Sequence, residues 1–166
     1  PPSGTPVGNE CREAVADAVR LLEGLGHQTE AARYPIAGDE LRDAAGTIIR
    51  TKVFEGLEQL AAERGAPLDR DEVEAATWMI YRAGKETSGR DYSAAIETIH
   101  RLGRQMGEFM TGHDVILSPT LAEPPIRLGM LNPETTDGRA LFDRMREFSP
   151  FCNLFNATGQ PAMSVP

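Results

Sequence analysis

The chain carries one side chain whose type suggests a nucleophile, Cys152, and two histidines, His27 and His100, that could serve as its base. A nucleophilic thiol needs a base within hydrogen-bond reach, because the thiolate is the reactive form. Cys152 lies in an apolar stretch and has no basic residue beside it, which favours an inert, buried thiol. The residue types alone therefore predict no cysteine-based catalysis in this chain.

The remaining chemistry-bearing residues form no recognisable ligand set. The three histidines, His27, His100 and His113, are scattered, and Cys11 and Cys152 lie far apart in the sequence. Zinc and similar metals bind closely spaced Cys and His ligands, so the sequence predicts no metal and no cofactor. Two isolated cysteines are expected to stay as free thiols in a reducing compartment, which predicts a cytoplasmic protein.

Composition narrows the class of protein. The chain has 166 residues, of which 40% are apolar and 25% charged, with a formal net charge of −8. That length suits one domain with a sizeable core. The negative charge argues against a nucleic-acid partner, which calls for a basic patch, and no apolar run has the length of a membrane span.

Hydrophobic periodicity predicts that most of the chain is helical. Apolar residues recur at helical spacing over residues 10–25, 39–64, 69–86, 91–111 and 139–148. The three middle segments make a helical block over about 39–111. Local signals mark its boundaries: Gly65 ends the first of these helices, Asp69 with Glu72 forms a capping box, and Asp91 is expected to cap the last.

Three other segments are predicted to be strands, at residues 28–34, 114–118 and 162–165. The run Val115-Ile116-Leu117 is continuous and apolar, as is typical of a strand buried on both faces. A helix followed by a strand, as at residues 10–34, suggests a unit of an α/β sheet. We therefore expect an α/β fold that is rich in helices.

Three short stretches carry a family resemblance. Residues 156–166 read N-A-T-G-Q-P-A-M-S-V-P, which resembles the N-x-T-G-x-P-A-x-S-x-P segment near the end of amidase-signature hydrolases. Residues 114–120, a predicted strand ending in Ser-Pro-Thr, look like a second hallmark of that family. Gly26-His27, closing an amphipathic helix, resembles a third. The stretches occur in the family's order, so the resemblance covers nearly the whole chain.

The resemblance implies a Ser–cis-Ser–Lys triad, with its serines in a Gly/Ser-rich stretch and its lysine upstream. This chain has no such stretch, and neither Lys52 nor Lys85 lies in a comparable context. We therefore expect residues 1–166 to be the C-terminal part of one amidase-signature domain, with no catalytic residue of its own. The implied fold is the family's α/β/α arrangement around a mixed sheet.

The resemblance also implies where a substrate lies. In the resembled fold a strand end, a helical cover and the helix before Gly159 converge, and ligands of open α/β sheets bind beyond strand ends. We expect five residues near the substrate channel of the complete enzyme: Trp78, Thr120, Phe151, Cys152 and Asn153. Half-buried packing for the tryptophan and local backbone hydrogen bonding for the threonine remain alternatives.

Three functions are compatible with these features. The first is hydrolysis of the C–N bond of small, uncharged amides by a parent enzyme whose missing N-terminal part is this chain's partner. The second is a subunit of glutamine-dependent tRNA amidotransferase, which usually has an arginine before a glycine in the helical block. Arg82 stands two residues before Gly84, although its neighbours fit poorly. The third is a non-catalytic helical interaction domain. Alone, the chain is expected to be inactive and to associate, with a homodimer as one outcome.

Overall fold

The protein, described by a computed structural model over residues 1–135 and 137–165, is helical in every regular element of those ranges. The α-helices are α1 (Asn9–Gly24), α2 (Gly38–Arg64), α3 (Ala75–Lys85), α4 (Gly89–Phe109), α5 (Gly138–Phe148) and α6 (Cys152–Thr158). Two 3-10 turns, Arg70–Glu72 and Met110–Gly112, lie before α3 and after α4. The predicted α/β fold with a mixed sheet is therefore wrong for the described residues.

The three predicted strands account for that error. Segments 28–34, 114–118 and 162–165 have no regular secondary structure, and within the described ranges no backbone hydrogen bond joins any of them to another segment. A strand forms only where a neighbour completes the hydrogen-bond ladder. Val115 is also 76% exposed, so the run that seemed buried on both faces is not.

The long helix α2 begins and ends close to where its sequence indicates. It runs from Gly38 to Arg64, against a predicted 39–64. Gly65 follows it with a φ of +70°, a left-handed conformation that glycine adopts without the steric cost of a Cβ. The prediction that Gly65 terminates the helix is confirmed.

The capping signals in the helical block act at different places from those predicted. The box formed by Asp69 and Glu72 is present, but it caps the short turn Arg70–Glu72, and α3 begins only at Ala75. At α4 the N-cap is Ser88, whose hydroxyl accepts from the backbone N–H of Asp91. Asp91 completes that box from the third helical position, so its predicted role as N-cap is wrong.

The core lies where α4 packs between α2 and α6. Three side chains, Leu102 and Met106 of α4 and Leu154 of α6, are fully buried there. The other buried members of the cluster are Leu41, Ala44, Ala95 and Ile99. Tyr34, Ile36 and Ile116 pack against it from the irregular segments, which fixes those segments on the helical core.

Helix α3 crosses α2 at a glycine. A Cβ added to Gly84 would lie 2.1 Å from the carbonyl oxygen of Arg50 and 2.7 Å from Cβ of Phe54. The two backbones can approach this closely only because position 84 has no side chain. On its other side α3 meets α5, where Met79 lies against Gly138.

Helix α1 differs from the others because it buries nothing. None of its residues is buried. Leu21 in the helix is 65% exposed, and Leu25, the residue that follows the helix, is 68% exposed. Its amphipathic pattern is as predicted, but no helix of the described ranges covers its apolar side extensively. Within those ranges, no helix is long and apolar enough to cross a membrane.

Candidate functional site

The candidate site lies at the N-terminus of α6, where two of the predicted residues meet. The Cys152 thiol lies 3.7 Å from the backbone carbonyl oxygen of Thr120, to which it can donate a hydrogen bond. These residues are 32 positions apart in the sequence. The structure thus brings together two of the five residues expected near the substrate channel.

Backbone hydrogen bonds hold residues 114–122, here called the Thr120 segment, at this position. The N–H of Ala122 donates to the carbonyl of Phe148 at 2.9 Å, and the N–H of Gly8 donates to the carbonyl of Ala122 at 2.6 Å. Ala122 is buried between these partners. The segment is therefore fixed to the end of α5 and to the start of α1, while Thr120 itself is exposed.

The neighbours of Cys152 differ in exposure. Phe151 is buried, and Asn153 is half-buried on the first turn of α6. The far end of α6 is closed by Thr158, whose hydroxyl donates to the carbonyl of Leu154, and by Gly159 with a φ of +73°. Asn156, on the same helix, is exposed.

Trp78 lies in a separate aromatic cluster between α2 and α3. Its ring stacks on Tyr81 at 5.2 Å, and Tyr81 packs on Phe54 at 5.4 Å. The Tyr81 hydroxyl donates to Glu58 at 2.5 Å, and this carboxylate raises the pKa of the phenol. Within the described ranges, no hydrogen bond or ring contact joins Trp78 to Thr120.

Tyr34 is a residue of this region to which sequence reasoning assigned no role. Its ring meets Phe155 of α6 edge-on at 6.3 Å. Burial raises the pKa of its phenol, and a hydrogen bond with the Ser118 side chain opposes that shift. Tyr34 belongs to the α1–α2 linker, residues 25–37, and thus connects this linker with both α6 and the Thr120 segment. No local pattern marks it, because the contact depends on the tertiary fold.

The groups in and around the site do not form an activated nucleophile. The Cys152 thiol faces the backbone carbonyl oxygen of Thr120, a group that accepts a hydrogen bond but does not serve as a base. Lys52 is exposed on α2 and paired with Glu55 at 2.7 Å, and this hydrogen bond raises the pKa of the amine. A lysine whose pKa is raised holds its proton and makes a poor general base.

Two further observations concern Arg82 and a possible metal site. Arg82, the possible marker of an amidotransferase subunit, is exposed on α3 beside Met79 and Glu86. Among the described residues, no cluster of three or more His, Cys, Asp or Glu side chains could hold a metal ion. The arrangement at α6 offers a surface with an amide, a thiol and backbone groups, which can contact a small molecule but holds no reacting group.

Comparison with known proteins identifies the class. The family model described as Amidase matches residues 2–166, and the chain belongs to that family. The resemblance inferred from the three short stretches is therefore confirmed.

Several curated proteins are similar over almost the whole chain. A lipoamidase of Enterococcus faecalis is 29% identical over 99% of this chain, which covers 25% of that protein. A putative amidase AmiC of Mycobacterium leprae is 33% identical over 95% of the chain and 33% of its own length. A 6-aminohexanoate-cyclic-dimer hydrolase of Paenarthrobacter ureafaciens is 28% identical over 97% of the chain and 35% of its own length. The chain thus spans a quarter to a third of these relatives.

A solved structure has the same fold in the corresponding region. The structure of 6-aminohexanoate cyclic dimer hydrolase superposes with a TM-score of 0.78 at 22% identity. The match covers 93% of this chain and 33% of that one. At this identity the similarity establishes the fold of the matched part only.

Proposed function

We propose that this chain is part of an amidase that hydrolyses the C–N bond of small, uncharged amides. The observation that carries the proposal is the amidase-family match over residues 2–166. Relatives named as a lipoamidase and a cyclic-dimer hydrolase support an amide bond as the point of attack. The reaction consumes water and yields a carboxylic acid and an amine.

The proposed mechanism uses a Ser–cis-Ser–Lys triad that this chain does not supply. The lysine, acting through the bridging serine, takes the proton of the nucleophilic serine, which attacks the amide carbonyl. The C–N bond breaks, the amine leaves with a proton, and water then hydrolyses the acyl-serine ester. Two properties of the chain support a triad that other residues of the enzyme supply: Lys52 is paired with Glu55, and the Cys152 thiol faces a carbonyl oxygen.

The proposed contribution of this chain is one wall of the substrate channel. Thr120, Phe151, Cys152 and Asn153 lie on or beside the junction of α6 with the Thr120 segment, where Cys152 and Asn153 are half-buried and Thr120 is exposed. Trp78 stands apart from them in its cluster with Tyr81, and we propose it for a second, apolar wall. An uncharged substrate fits these groups, because none of the five is a Lys, Arg, Asp or Glu side chain.

The proposed partner is the rest of an amidase polypeptide. Helix α1 buries no residue and exposes Leu21 and Leu25, and exposed apolar faces of this kind mark interaction surfaces. The relatives are three to four times as long as the matched region, so they contain further polypeptide that could cover this face. A homodimer through α1 is the competing outcome. Both cysteines are free thiols, which supports a cytoplasmic location.

The first test compares this chain with the full product of the gene that contains it. Both are assayed for acid and amine release from a panel of small, uncharged amides. We expect turnover by the full product and none by the isolated chain, because positioned catalytic groups supply most of the rate enhancement. Turnover by the isolated chain that Cys152→Ala abolishes would overturn the proposal, as would a full product that hydrolyses no amide.

The second test uses two asparagines of the same helix. In the full product, Asn153→Ala should change kcat/KM by different factors for bulky and small amides, because Asn153 is half-buried beside the proposed channel. Asn156→Ala makes the same chemical change at an exposed position and should leave that ratio unaltered. Equal losses for every amide after Asn153→Ala would indicate packing instead of substrate contact.

A further inference from the structure

His113 directly follows the 3-10 turn Met110–Gly112, which continues α4, and it contacts two acceptors at once. Its ring stacks on the Phe109 ring with centroids 4.6 Å apart and planes at 21°. The Nδ1 atom is 3.0 Å from the backbone carbonyl oxygen of Phe109, and Nε2 is 2.5 Å from a carboxylate oxygen of Glu30. The stacking and both contacts hold the imidazole in one orientation.

The chemistry of these two contacts defines the charge of the ring. A carbonyl oxygen and a carboxylate oxygen only accept hydrogen bonds, so each ring nitrogen must donate. A neutral imidazole carries one N–H, and only the imidazolium carries two. The site is therefore complete only when His113 is protonated. Its position beside a helix C-terminus favours the same charge, because the unpaired carbonyls there are partially negative.

The groups that face the ring come from two elements. Glu30 faces it from the α1–α2 linker, residues 25–37, and is the charged group in contact with it. From α4 come the Phe109 carbonyl and the Phe109 ring, which are both uncharged. The backbone carbonyl and then the Glu30 carboxylate raise the pKa of His113 above its ordinary value of 6.5.

The contact between Glu30 and His113 joins parts of the chain that are 83 residues apart. Glu30 belongs to the α1–α2 linker, and His113 directly precedes the segment that leads to Thr120. The same linker reaches the other end of that segment, where Tyr34 interacts with Ser118 and packs on Phe155 of α6. The Glu30–His113 contact and the proximity of Tyr34 to Ser118 thus place the linker along the segment that presents Thr120.

We propose that Glu30 and His113 form a pH-sensitive clasp, which fixes the α1–α2 linker against the Thr120 segment while the imidazole is charged. When the ring loses its proton, one of the two nitrogens faces an acceptor without a hydrogen to donate, and the clasp opens. Since protonation is favoured in the folded state, the clasp stabilises the fold fully below about pH 6.5. That contribution disappears as the pH rises through the raised pKa of His113.

The test follows the histidine rings of this chain by NMR between about pH 5 and pH 9, the range in which histidine titrates. We expect the His113 pKa to lie above 6.5 in the wild type and to fall in Glu30→Gln. The ring signals of His27 and His100 serve as internal references, and at each pH they should be the same in both proteins. Amide protection factors of residues 28–34 and 114–118 should decrease across the His113 titration in the wild type.

A charge-matched control separates the clasp from general electrostatics. Glu108→Gln removes the same charge from the exposed face of α4 and should leave the His113 titration and the protection factors unchanged. The proposal is overturned if the His113 pKa lies at or below 6.5, or if Glu30→Gln and Glu108→Gln act alike. Collapse of the three histidine signals onto a single titration would overturn it too, because the bridge would then not exist.

Discussion

Substituting Gly84 by alanine tests the closest helix–helix contact of the fold. Helix α3 passes α2 so closely that a Cβ at position 84 would lie 2.1 Å from the Arg50 carbonyl oxygen and 2.7 Å from Cβ of Phe54. Both obstacles are rigid, since one is backbone and the other is the first atom of a side chain. The two helices must therefore move apart to admit a single methyl group.

The size of the effect follows from two opposing contributions. Overpacking a well-packed contact costs about 1–3 kcal/mol, and an obstacle made of backbone places this site near the upper value. Replacing glycine by alanine within a helix recovers about 1 kcal/mol. The free energy of unfolding should therefore fall by about 2 kcal/mol, which for a chain of this length lowers Tm by roughly 4–8 °C.

Gly56→Ala provides the matched control. Gly56 lies within α2 and is exposed, and a methyl group added there would meet no atom of another element within 4 Å. The same change should therefore stabilise the protein by up to about 1 kcal/mol. Urea and thermal unfolding followed by far-UV circular dichroism measure both variants. Equal stabilisation by the two substitutions would show that α3 does not cross α2 at Gly84, and would refute the packing described for these helices.

Three further predictions concern the core, acid stability and association. Leu154→Ala should lower the free energy of unfolding by about 2–5 kcal/mol in urea, because Leu154 is fully buried, whereas Leu21→Ala should change it by less than about 0.5 kcal/mol. Stability should fall as the pH drops from 4.5 towards 2, because the hydrogen bond from Arg64 lowers the pKa of Glu72 to about 2. Glu72→Gln should weaken that dependence, as acid titrations of the unfolding midpoint would show. Leu21→Glu combined with Leu25→Glu should reduce self-association in sedimentation velocity, since both side chains are exposed at the end of α1. Unchanged association would exclude the apolar side of α1 as the interface.

Sequence reasoning located the helices well because their signals are local. The bounds of α2 and α5 agree with the predicted ones to within a residue, and Gly65 ends α2 as expected. The capping error at α4 arose because two polar residues compete for one helix start. Ser88 and Asp91 are both good N-caps, and only the backbone conformation decides that Ser88 takes the position.

The candidate site was predictable in part. The family resemblance directed attention to Thr120 and Cys152, and the fold places the Cys152 thiol 3.7 Å from the Thr120 carbonyl oxygen. Tyr34 and the Glu30–His113 bridge were not anticipated, because each joins segments that lie far apart in the sequence. Contacts of this kind depend on how the α1–α2 linker crosses the helical core, and no spacing rule encodes that path. The role in substrate binding of all five predicted residues, Trp78, Thr120, Phe151, Cys152 and Asn153, stays a prediction.

The failure at residues 114–118 shows what an apolar run does and does not encode. Ile116 packs against the core while Val115 is 76% and Leu117 40% exposed, so burial alternates with the period of an extended chain. The β-branched residues thus indicated an extended segment correctly, but a strand also requires a hydrogen-bonding neighbour, which a run of side chains cannot specify. Helix α1 is the counterpart: its amphipathic pattern predicts the helix correctly, yet none of its residues is buried. Periodicity therefore predicts which face of a segment is apolar. Whether that face is buried depends on other segments that pack against it.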